Sequence, residues 1–256
     1  MAMDLGGLEK EVQALNRKYG FLNTIIKPSP NKKKGLLSGI AVSVKDCICV
    51  EGVQSAAGSR ILEGYEPPFD ATVIERVRQE GGILIGKTNQ DEFGFGTFSA
   101  NSGFAVPKNP HDPTRCCGGS SGGAAGLTAA LPAEFHHIAL GQSTGGSISC
   151  PASFCGVVGL TPTYGLVSRY GLIDYANSLD KIGPIAKSVG DAALMLSVIA
   201  GHDDKDSTSL HEKPQDYTRL IGKPVKGMKI GVPKEYFGKG VDRAVADEVW
   251  KGVKRL

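Results

Sequence analysis

The sequence predicts an α/β fold in which a β-sheet is covered by helices on its faces. Amphipathic segments with helical spacing alternate with short apolar runs along most of the 256 residues, an order typical of α/β sheets. The composition is 41% hydrophobic and 21% charged, which is ordinary for a globular protein. No linker interrupts the pattern, so one domain is favoured over two.

The first half of the chain alternates helix and strand signals. Apolar residues at helical spacing predict a helix over residues 8–19. The run 39–44 predicts a strand with Lys45 at its end, a common place for a working residue in α/β folds. A second helix is predicted over residues 70–80, and a short buried strand over residues 82–86.

The second half continues the same pattern up to the last residue. Because a helix signal runs to the end of the chain with no tail after it, we expect a chain truncated within an α/β pattern. The predicted elements are a helix of small residues over 123–130, a strand over 137–140, a helix starting near Ser147, a strand over 157–160, a helix over 191–200, a strand over 228–232 and a helix over 241–256.

Charge, hydropathy and cysteine spacing exclude several classes of protein. A net charge of +3 is too small to argue for direct binding of nucleic acid. No apolar run is long enough for a membrane span and no secretory signal is recognised, so we expect a cytoplasmic protein with no membrane partner. The six cysteines lack the spacing of structural zinc sites and are expected to be reduced thiols.

One lysine and two serines form the most informative pattern. Ser120 and Ser147 each lie in a glycine-rich turn, 118–123 and 143–147, and Lys45 ends a predicted strand. A serine hydroxyl needs a nearby base before it attacks a carbonyl, and a lysine whose pKa is lowered by burial can be that base. Taken singly, each residue also fits a plainer interpretation: a flexible turn, a helix cap, and a surface lysine partnered by Asp46.

The glycine-rich turns favour acyl transfer over phosphate binding. The run 118–123 lacks the lysine of a P-loop and does not fit the dinucleotide fingerprint. Successive backbone N–H groups in the turn before Ser147 can form an oxyanion hole beside a nucleophile. His136 and His137 are adjacent on a predicted strand and therefore point to opposite faces, which disfavours a metal site.

Six ordered sequence blocks resemble the amidase signature family. The resemblance extends from about residue 39 to 209 and implies the fold of that family, a mixed sheet with helices on both faces. We therefore expect a single domain over 1–256, with a helical N-terminal segment at 1–34, a catalytic core at 35–209 and the start of the C-terminal part at 210–256. The matching blocks are 39–46, 58–60 with 86–93, 118–123, 144–148, 151–165 and 168–171.

The resemblance implies a role for each residue of the pattern. Lys45 is the base, Ser147 the nucleophile, and Ser120 the bridging serine, joined to Gly119 by a cis peptide bond. Ser121 and Tyr170 are implied as supporting residues. The implied site residues are Lys45, Ser120 and Ser147 for catalysis, and Thr144, Gly145, Gly146 and Ser121 for the oxyanion hole and substrate binding, with no metal.

Three segments, 87–93, 167–171 and 178–184 with 201–207, are most similar to the glutamine-hydrolysing subunits of tRNA-dependent amidotransferases. This similarity implies glutamine as substrate, the B and C subunits of such a complex as partners, and contact with misacylated tRNA only through the complex. No cofactor is implied for this chain, because ATP and magnesium are used by the partner. A stand-alone amidase for small amides and an inactive scaffold protein remain alternatives.

The chain also departs from the family pattern in the nucleophile turn. Ser143 stands where the family usually has Asp, and Ser149 where it often has Arg. A further serine of the family is replaced by Ala124. Two charges are thereby removed, so we expect the turn to lack the usual ionic support while the lysine and both serines remain.

Overall fold

A six-stranded mixed sheet forms the centre of the computed structural model, which describes residues 3–255. In sheet order β1-β3-β2-β4-β6-β5, strands β3, β2 and β4 are parallel, whereas β1, β6 and β5 run antiparallel to their neighbours. The strands are β1 Leu22–Ile25, β2 Ala41–Lys45, β3 Ile83–Thr88, β4 His137–Ser143, β5 Val158–Gly159 and β6 Lys181–Ala186.

Six α-helices accompany the sheet in the described part of the chain, and local sequence explains where several of them begin and end. The Asp4 side chain accepts a hydrogen bond from the first turn of α1, and Gly20 ends that helix with a φ of 70°, a conformation that glycine adopts at no steric cost. Ser188 caps α5 in the same way as Asp4 caps α1. The helices are α1 Leu5–Tyr19, α2 Thr72–Gln79, α3 Gly122–Ala130, α4 Ser149–Cys155, α5 Val189–Ile199 and α6 Arg243–Val253.

Alternate residues of the central strands belong to two different hydrophobic cores. Val42 and Leu140 pack with α2 and α5 on one face of the sheet, whereas Ala41 and Ala139 pack with α1, α3 and α4 on the other. Side chains in a strand alternate between faces, so a sheet buried on both sides reads as continuous apolar runs. The expected mixed sheet with helices on both faces is confirmed.

Helix α3 lies unusually close to the sheet because its first turns consist of small residues. A Cβ atom added to Gly123 would lie 2.4 Å from the main-chain oxygen of Phe21, and one added to Gly126 would lie 2.3 Å from the Phe21 ring. Only glycine permits such an approach of two backbones. The close packing fixes the N-terminal end of α3, where Ser120 and Ser121 are found.

Most predicted elements are present, with boundaries shifted by a few residues. Strands β1 and β6 were not predicted, and the strand predicted over residues 228–232 is wrong, since no strand occurs there. A β-strand needs a neighbour to satisfy its backbone hydrogen bonds, and residues 220–255 contain no strand. Met228 and Ile230 are exposed there, at 66% and 44%.

The chain divides into two compact units, with the boundary between Arg219 and Leu220. The first unit carries the whole sheet and both hydrophobic cores. The second contains α6, in which the Trp250 ring lies 4.9 Å from the Phe237 ring. The expected divisions at residues 34 and 209 remain predictions.

Two properties of the described residues bear on the predicted class of protein. All six cysteines are free thiols, in agreement with the expectation of reduced cysteines. Among residues 3–255, no helix combines the length and the apolar character that a membrane crossing requires.

Candidate active site

Lys45 lies in the middle of the sheet, where β2 ends between β3 and β4. Its side chain has no exposed surface, so the interpretation as a surface lysine is wrong. The Nζ atom is 2.8 Å from Ser120 Oγ, 2.9 Å from the main-chain oxygen of Gln142 and 2.9 Å from Gln142 Oε1. The amine is thus enclosed by three oxygens at the carboxyl edge of the parallel strands.

Burial lowers the pKa of Lys45 from 10.5 to about 8, because an ammonium ion without water is costly. The nearby Cys47, Asp91 and Asp180 act in the opposite direction and raise this pKa, but their effect is smaller. A lysine with a pKa near 8 is partly neutral at physiological pH, and the neutral amine can accept a proton.

Asp46 is a buried residue and not the surface partner of Lys45 that its position suggests. Its carboxylate lies 3.8 Å from Lys87 Nζ, and neither side chain is exposed. Asp46 Oδ2 also accepts a hydrogen bond from the Gly58 main chain at 2.8 Å. Successive side chains of an extended backbone point to opposite faces, so Asp46 and Lys45 face different surroundings.

Ser120 and Ser121 immediately precede α3, and both are fully buried. The peptide bond between Gly119 and Ser120 is cis, as the family resemblance predicts. The main-chain oxygen of Ser120 accepts a hydrogen bond from Asp91 N at 3.3 Å. Ser121 connects two loops, because its Oγ donates to the Gln142 main-chain oxygen at 3.1 Å and its N–H donates to Ser147 O at 3.2 Å.

The turn 144–147 has its carbonyl groups engaged and several N–H groups free. The oxygens of Thr144, Gly145, Gly146 and Ser147 accept hydrogen bonds from Lys181 Nζ, Ser143 Oγ, Cys150 N and Ser121 N, respectively. Within residues 3–255, the N–H groups of 145–147 donate to no protein atom. Free N–H groups in one exposed turn are what an oxyanion hole requires.

Ser147 is half-buried at the end of this turn. Its hydroxyl makes no hydrogen bond to Ser120 or to any other side chain in the described part of the chain. Ser120 is bonded to Lys45, and the two serine loops are joined through Ser121. Contacts of this kind are often long in a free enzyme and shorten when substrate binds.

Sequence reasoning missed Gln142 and Asp180. Gln142 Nε2 donates to Asp180 Oδ1 at 2.8 Å and to Thr144 Oγ1 at 3.1 Å. Because Ser143 pairs with Lys181 across β4 and β6, the preceding Asp180 is brought beside Thr144. The signal available in the sequence was the position of Asp180 inside the block 178–184, but the antiparallel strand that aligns it was not predicted.

The two serines that replace charged residues both contact the turn. Ser143 Oγ donates to the Gly145 oxygen at 3.1 Å, and Ser149 Oγ donates to the Gly146 oxygen at 3.4 Å. The two serines thus hold the turn through neutral hydrogen bonds, in addition to the contacts of Thr144 with Lys181 and Asp180. Tyr170 is not part of this group, since its ring packs on Phe69 with 5.4 Å between centroids.

The two adjacent histidines have different surroundings, as their strand position predicts. His136 lies 2.7 Å from Asp191, whereas His137 is buried beside Ser43 at 3.0 Å. Burial lowers the pKa of His137 to about 3, so the ring is neutral. Among residues 3–255, no cluster of three His, Cys, Asp or Glu side chains is arranged to hold a metal ion.

A buried lysine bonded to a serine, next to a second serine in a turn with free N–H groups, is suited to acyl transfer. The fold and the site define a class of α/β proteins in which a buried lysine–serine pair lies at the carboxyl edge of a mixed sheet. The sequence model of the family described as Amidase matches residues 23–256. The chain therefore belongs to the amidase family.

Known relatives agree with this assignment. The chain is 54% identical over 224 residues to the A subunit of the glutamyl-tRNA(Gln) amidotransferase of Thermodesulfovibrio yellowstonii, a match that covers 88% of this chain and 46% of the relative. The crystal structure of the corresponding A subunit of the glutamyl-tRNA(Gln) amidotransferase of Thermotoga maritima superimposes with a TM-score of 0.90 at 40% identity, covering 98% of this chain and 55% of that one.

A peptide amidase is also similar. The native enzyme from Stenotrophomonas maltophilia superimposes with a TM-score of 0.73 at 35% identity, and the match covers 84% of this chain and 48% of that one. The chain thus spans about half the length of the relatives that it matches.

Proposed function

We propose that this chain belongs to a glutamine amidohydrolase that releases ammonia through an acyl ester on Ser147. The observation that carries the proposal is the 2.8 Å hydrogen bond between Lys45 Nζ and Ser120 Oγ. The Lys45 side chain that makes this bond is fully buried and has no surface exposed to water. Burial brings the pKa of Lys45 to about 8, so a base is available near neutral pH.

The proposed reaction uses the three residues in sequence. Neutral Lys45 takes the Ser120 proton while Ser120 takes the Ser147 proton, and Ser147 Oγ attacks the amide carbon. The negative charge on the carbonyl oxygen is held by N–H groups of residues 144–147. The proton returns through Ser120 to the amide nitrogen, the C–N bond breaks and ammonia leaves. Water, activated by the same relay, then hydrolyses the ester and yields the acid.

The proposed substrate and partners follow from the relatives. Relatives around 50% identical are named as the A subunit of glutamyl-tRNA(Gln) amidotransferase, which supports glutamine as the amide and ammonia delivery to the B and C subunits as its purpose. The partner would use ATP and magnesium to amidate misacylated tRNA. The net charge of +3 supports contact with tRNA through the partners and not through this chain.

The first prediction concerns covalent labelling of Ser147. A fluorophosphonate probe phosphonylates an activated serine with loss of fluoride, so we expect one adduct by intact mass. Ser147→Ala removes the nucleophile and Lys45→Ala removes the base, and each should abolish the adduct. Ser207→Ala, which changes a serine in the loop after α5, serves as the control and should label as the original chain does.

The results also separate the alternatives. An adduct that persists in Ser147→Ala contradicts the assigned nucleophile. A folded chain without any adduct favours the inactive scaffold. If labelling occurs, hydrolysis of glutamine in the presence of the B and C subunits supports the amidotransferase. Hydrolysis of peptide or aryl amides without glutamine would instead favour a stand-alone amidase, which the similarity to the peptide amidase makes the second candidate.

A further inference from the structure

Gln142 contacts the lysine with both of its oxygens. Its main-chain oxygen and its Oε1 each lie 2.9 Å from Lys45 Nζ, and the third oxygen near that atom is Ser120 Oγ, at 2.8 Å. The lysine and the glutamine lie on the neighbouring strands β2 and β4, near the ends where the site is formed. One residue thus supplies two of the three contacts of the amine.

The chemistry of these three oxygens differs. The two oxygens of Gln142 can only accept hydrogen bonds, whereas the Ser120 hydroxyl can either accept or donate. A neutral amine has two N–H donors and one lone pair. All groups are satisfied when both N–H donors point to Gln142 and the lone pair receives the Ser120 O–H. The ammonium form donates to all three oxygens without any movement of side chains.

The orientation of the Gln142 amide is fixed from its other end. Both Nε2 hydrogens have acceptors, Asp180 Oδ1 at 2.8 Å and Thr144 Oγ1 at 3.1 Å. Rotating the amide by half a turn would place Oε1 against the Asp180 carboxylate, which is unfavourable. Asp180 is itself buried and accepts main-chain hydrogen bonds from Tyr175 at 2.7 Å and Ala176 at 2.9 Å.

We propose that Gln142 is a positioning residue for the base: it takes both N–H donors of neutral Lys45 and leaves the lone pair directed at Ser120. The inference rests on the proposed function, in which Lys45 accepts the Ser120 proton. Asp180 acts one step further away by holding the amide of Gln142 in the required orientation.

Two substitutions of Gln142 should move the pKa of Lys45 in opposite directions. Gln142→Glu is made in the Asp180→Asn background throughout, because Gln142 Nε2 lies 2.8 Å from Asp180 Oδ1 and two facing carboxylates would share a proton. The new carboxylate then lies against the amine and should raise this pKa, relative to Asp180→Asn alone, by about one unit or more. Gln142→Met keeps the size of the side chain but removes an acceptor that favours the ammonium form, so the pKa should fall. The rise in Gln142→Glu follows from proximity of charge alone, so Gln142→Met is the discriminating variant: a merely structural role predicts no fall in the Lys45 pKa there.

The test measures the titration of Lys45 directly and also follows its effect on the labelling of Ser147. Chain containing lysine labelled with 13C at Cε is titrated by NMR, with the Lys45 signal identified from its loss in Lys45→Met. Fluorophosphonate labelling of Ser147 is then followed against pH. Relative to Asp180→Asn alone, we expect Gln142→Glu to label about 10-fold more slowly at pH 7 and to recover at high pH. Gln142→Met should label more slowly at every pH, because the lone pair is no longer directed.

Exposed Gln79 at the end of α2 provides matched controls, and Gln79→Glu and Gln79→Met should leave both profiles unchanged. Circular dichroism checks folding.

An unchanged Lys45 titration in folded Gln142→Glu and Gln142→Met overturns the inference. If both variants unfold, the original chain provides the test. The inference then requires the NMR signals of the Gln142 side-chain amide to change with pH at the same midpoint as the Lys45 signal, and signals that do not change overturn it. Absence of labelling together with the expected lysine shifts contradicts the proposed function alone.

Discussion

At the scale of single residues, burial decides which lysine can act as a base. Lys45 and Lys87 are both fully buried, and desolvation lowers the pKa of both. Lys87, however, faces the carboxylate of Asp46 at 3.8 Å, whereas Lys45 has only uncharged oxygens within hydrogen-bond distance. A lysine surrounded by neutral acceptors can lose its proton without leaving an unpaired carboxylate.

Lys87→Met is expected to destabilise the chain by about 3–5 kcal/mol at neutral pH, since it leaves Asp46 as an uncompensated buried charge. Burial already raises the pKa of Asp46, and Lys87 is the largest influence that lowers it. With a folded-state pKa above the unfolded one, the proton on Asp46 stabilises the fold at low pH. This stabilisation is lost as pH rises through the raised pKa.

Urea denaturation at pH 5 and pH 8 measures the effect. The deficit of Lys87→Met relative to the original chain should be smaller at pH 5. Asp46→Asn combined with Lys87→Met removes the carboxylate, so its stability should no longer depend on pH in this way. If Lys87→Met lowers the free energy of unfolding equally at pH 5 and pH 8, the cause is lost packing and not the buried charge.

At the scale of secondary structure elements, the close approach of α3 to the sheet positions both serines. Gly123→Ala should destabilise the chain by about 1–3 kcal/mol, because the new Cβ would lie 2.4 Å from Phe21 O and 2.6 Å from Asn89 O. Both contacts are backbone atoms that cannot rotate away. The displaced helix should also slow labelling of Ser147.

Gly190→Ala in the first turn of α5 is the control, since its Cβ would meet only Ser188 Oγ at 3.6 Å. This change should be neutral or stabilise by up to about 1 kcal/mol, the difference in helix propensity. Thermal unfolding and the labelling rate are measured for both variants. Equal stability of the two would contradict the proposed tight packing of α3.

At the scale of the whole molecule, the two units differ in how much they bury. The unit up to Arg219 contains both hydrophobic cores, whereas no residue described in 220–255 is buried. Segments with few buried apolar contacts open at low free-energy cost. We therefore expect brief trypsin treatment of the full chain to cut first within residues 226–239, where four exposed lysines are not followed by proline.

Mass spectrometry of the first stable fragment tests this expectation. A fragment that ends within 226–239 and still labels at Ser147 agrees with it. An early cut within the sheet, for example after Lys87, would contradict the assignment of stability to the first unit.

The sequence by itself determined the α/β class and most helices, and it predicted which residues form the candidate site. Apolar periodicity is a local property, and the glycine-rich turns around Ser120 and Ser147 are visible as short motifs. The resemblance to the amidase signature family added an implied role for each of these residues.

Only the tertiary structure decided what surrounds Lys45. Its partners Ser120 and Gln142 are 75 and 97 positions away in sequence, and Asp180 reaches the site through an antiparallel pairing that no local pattern predicts. The strand predicted over 228–232 failed for the same reason, because strand formation depends on a neighbour elsewhere in the chain. Burial, which lowers the pKa of Lys45, is likewise a property of the packed molecule and not of the residue.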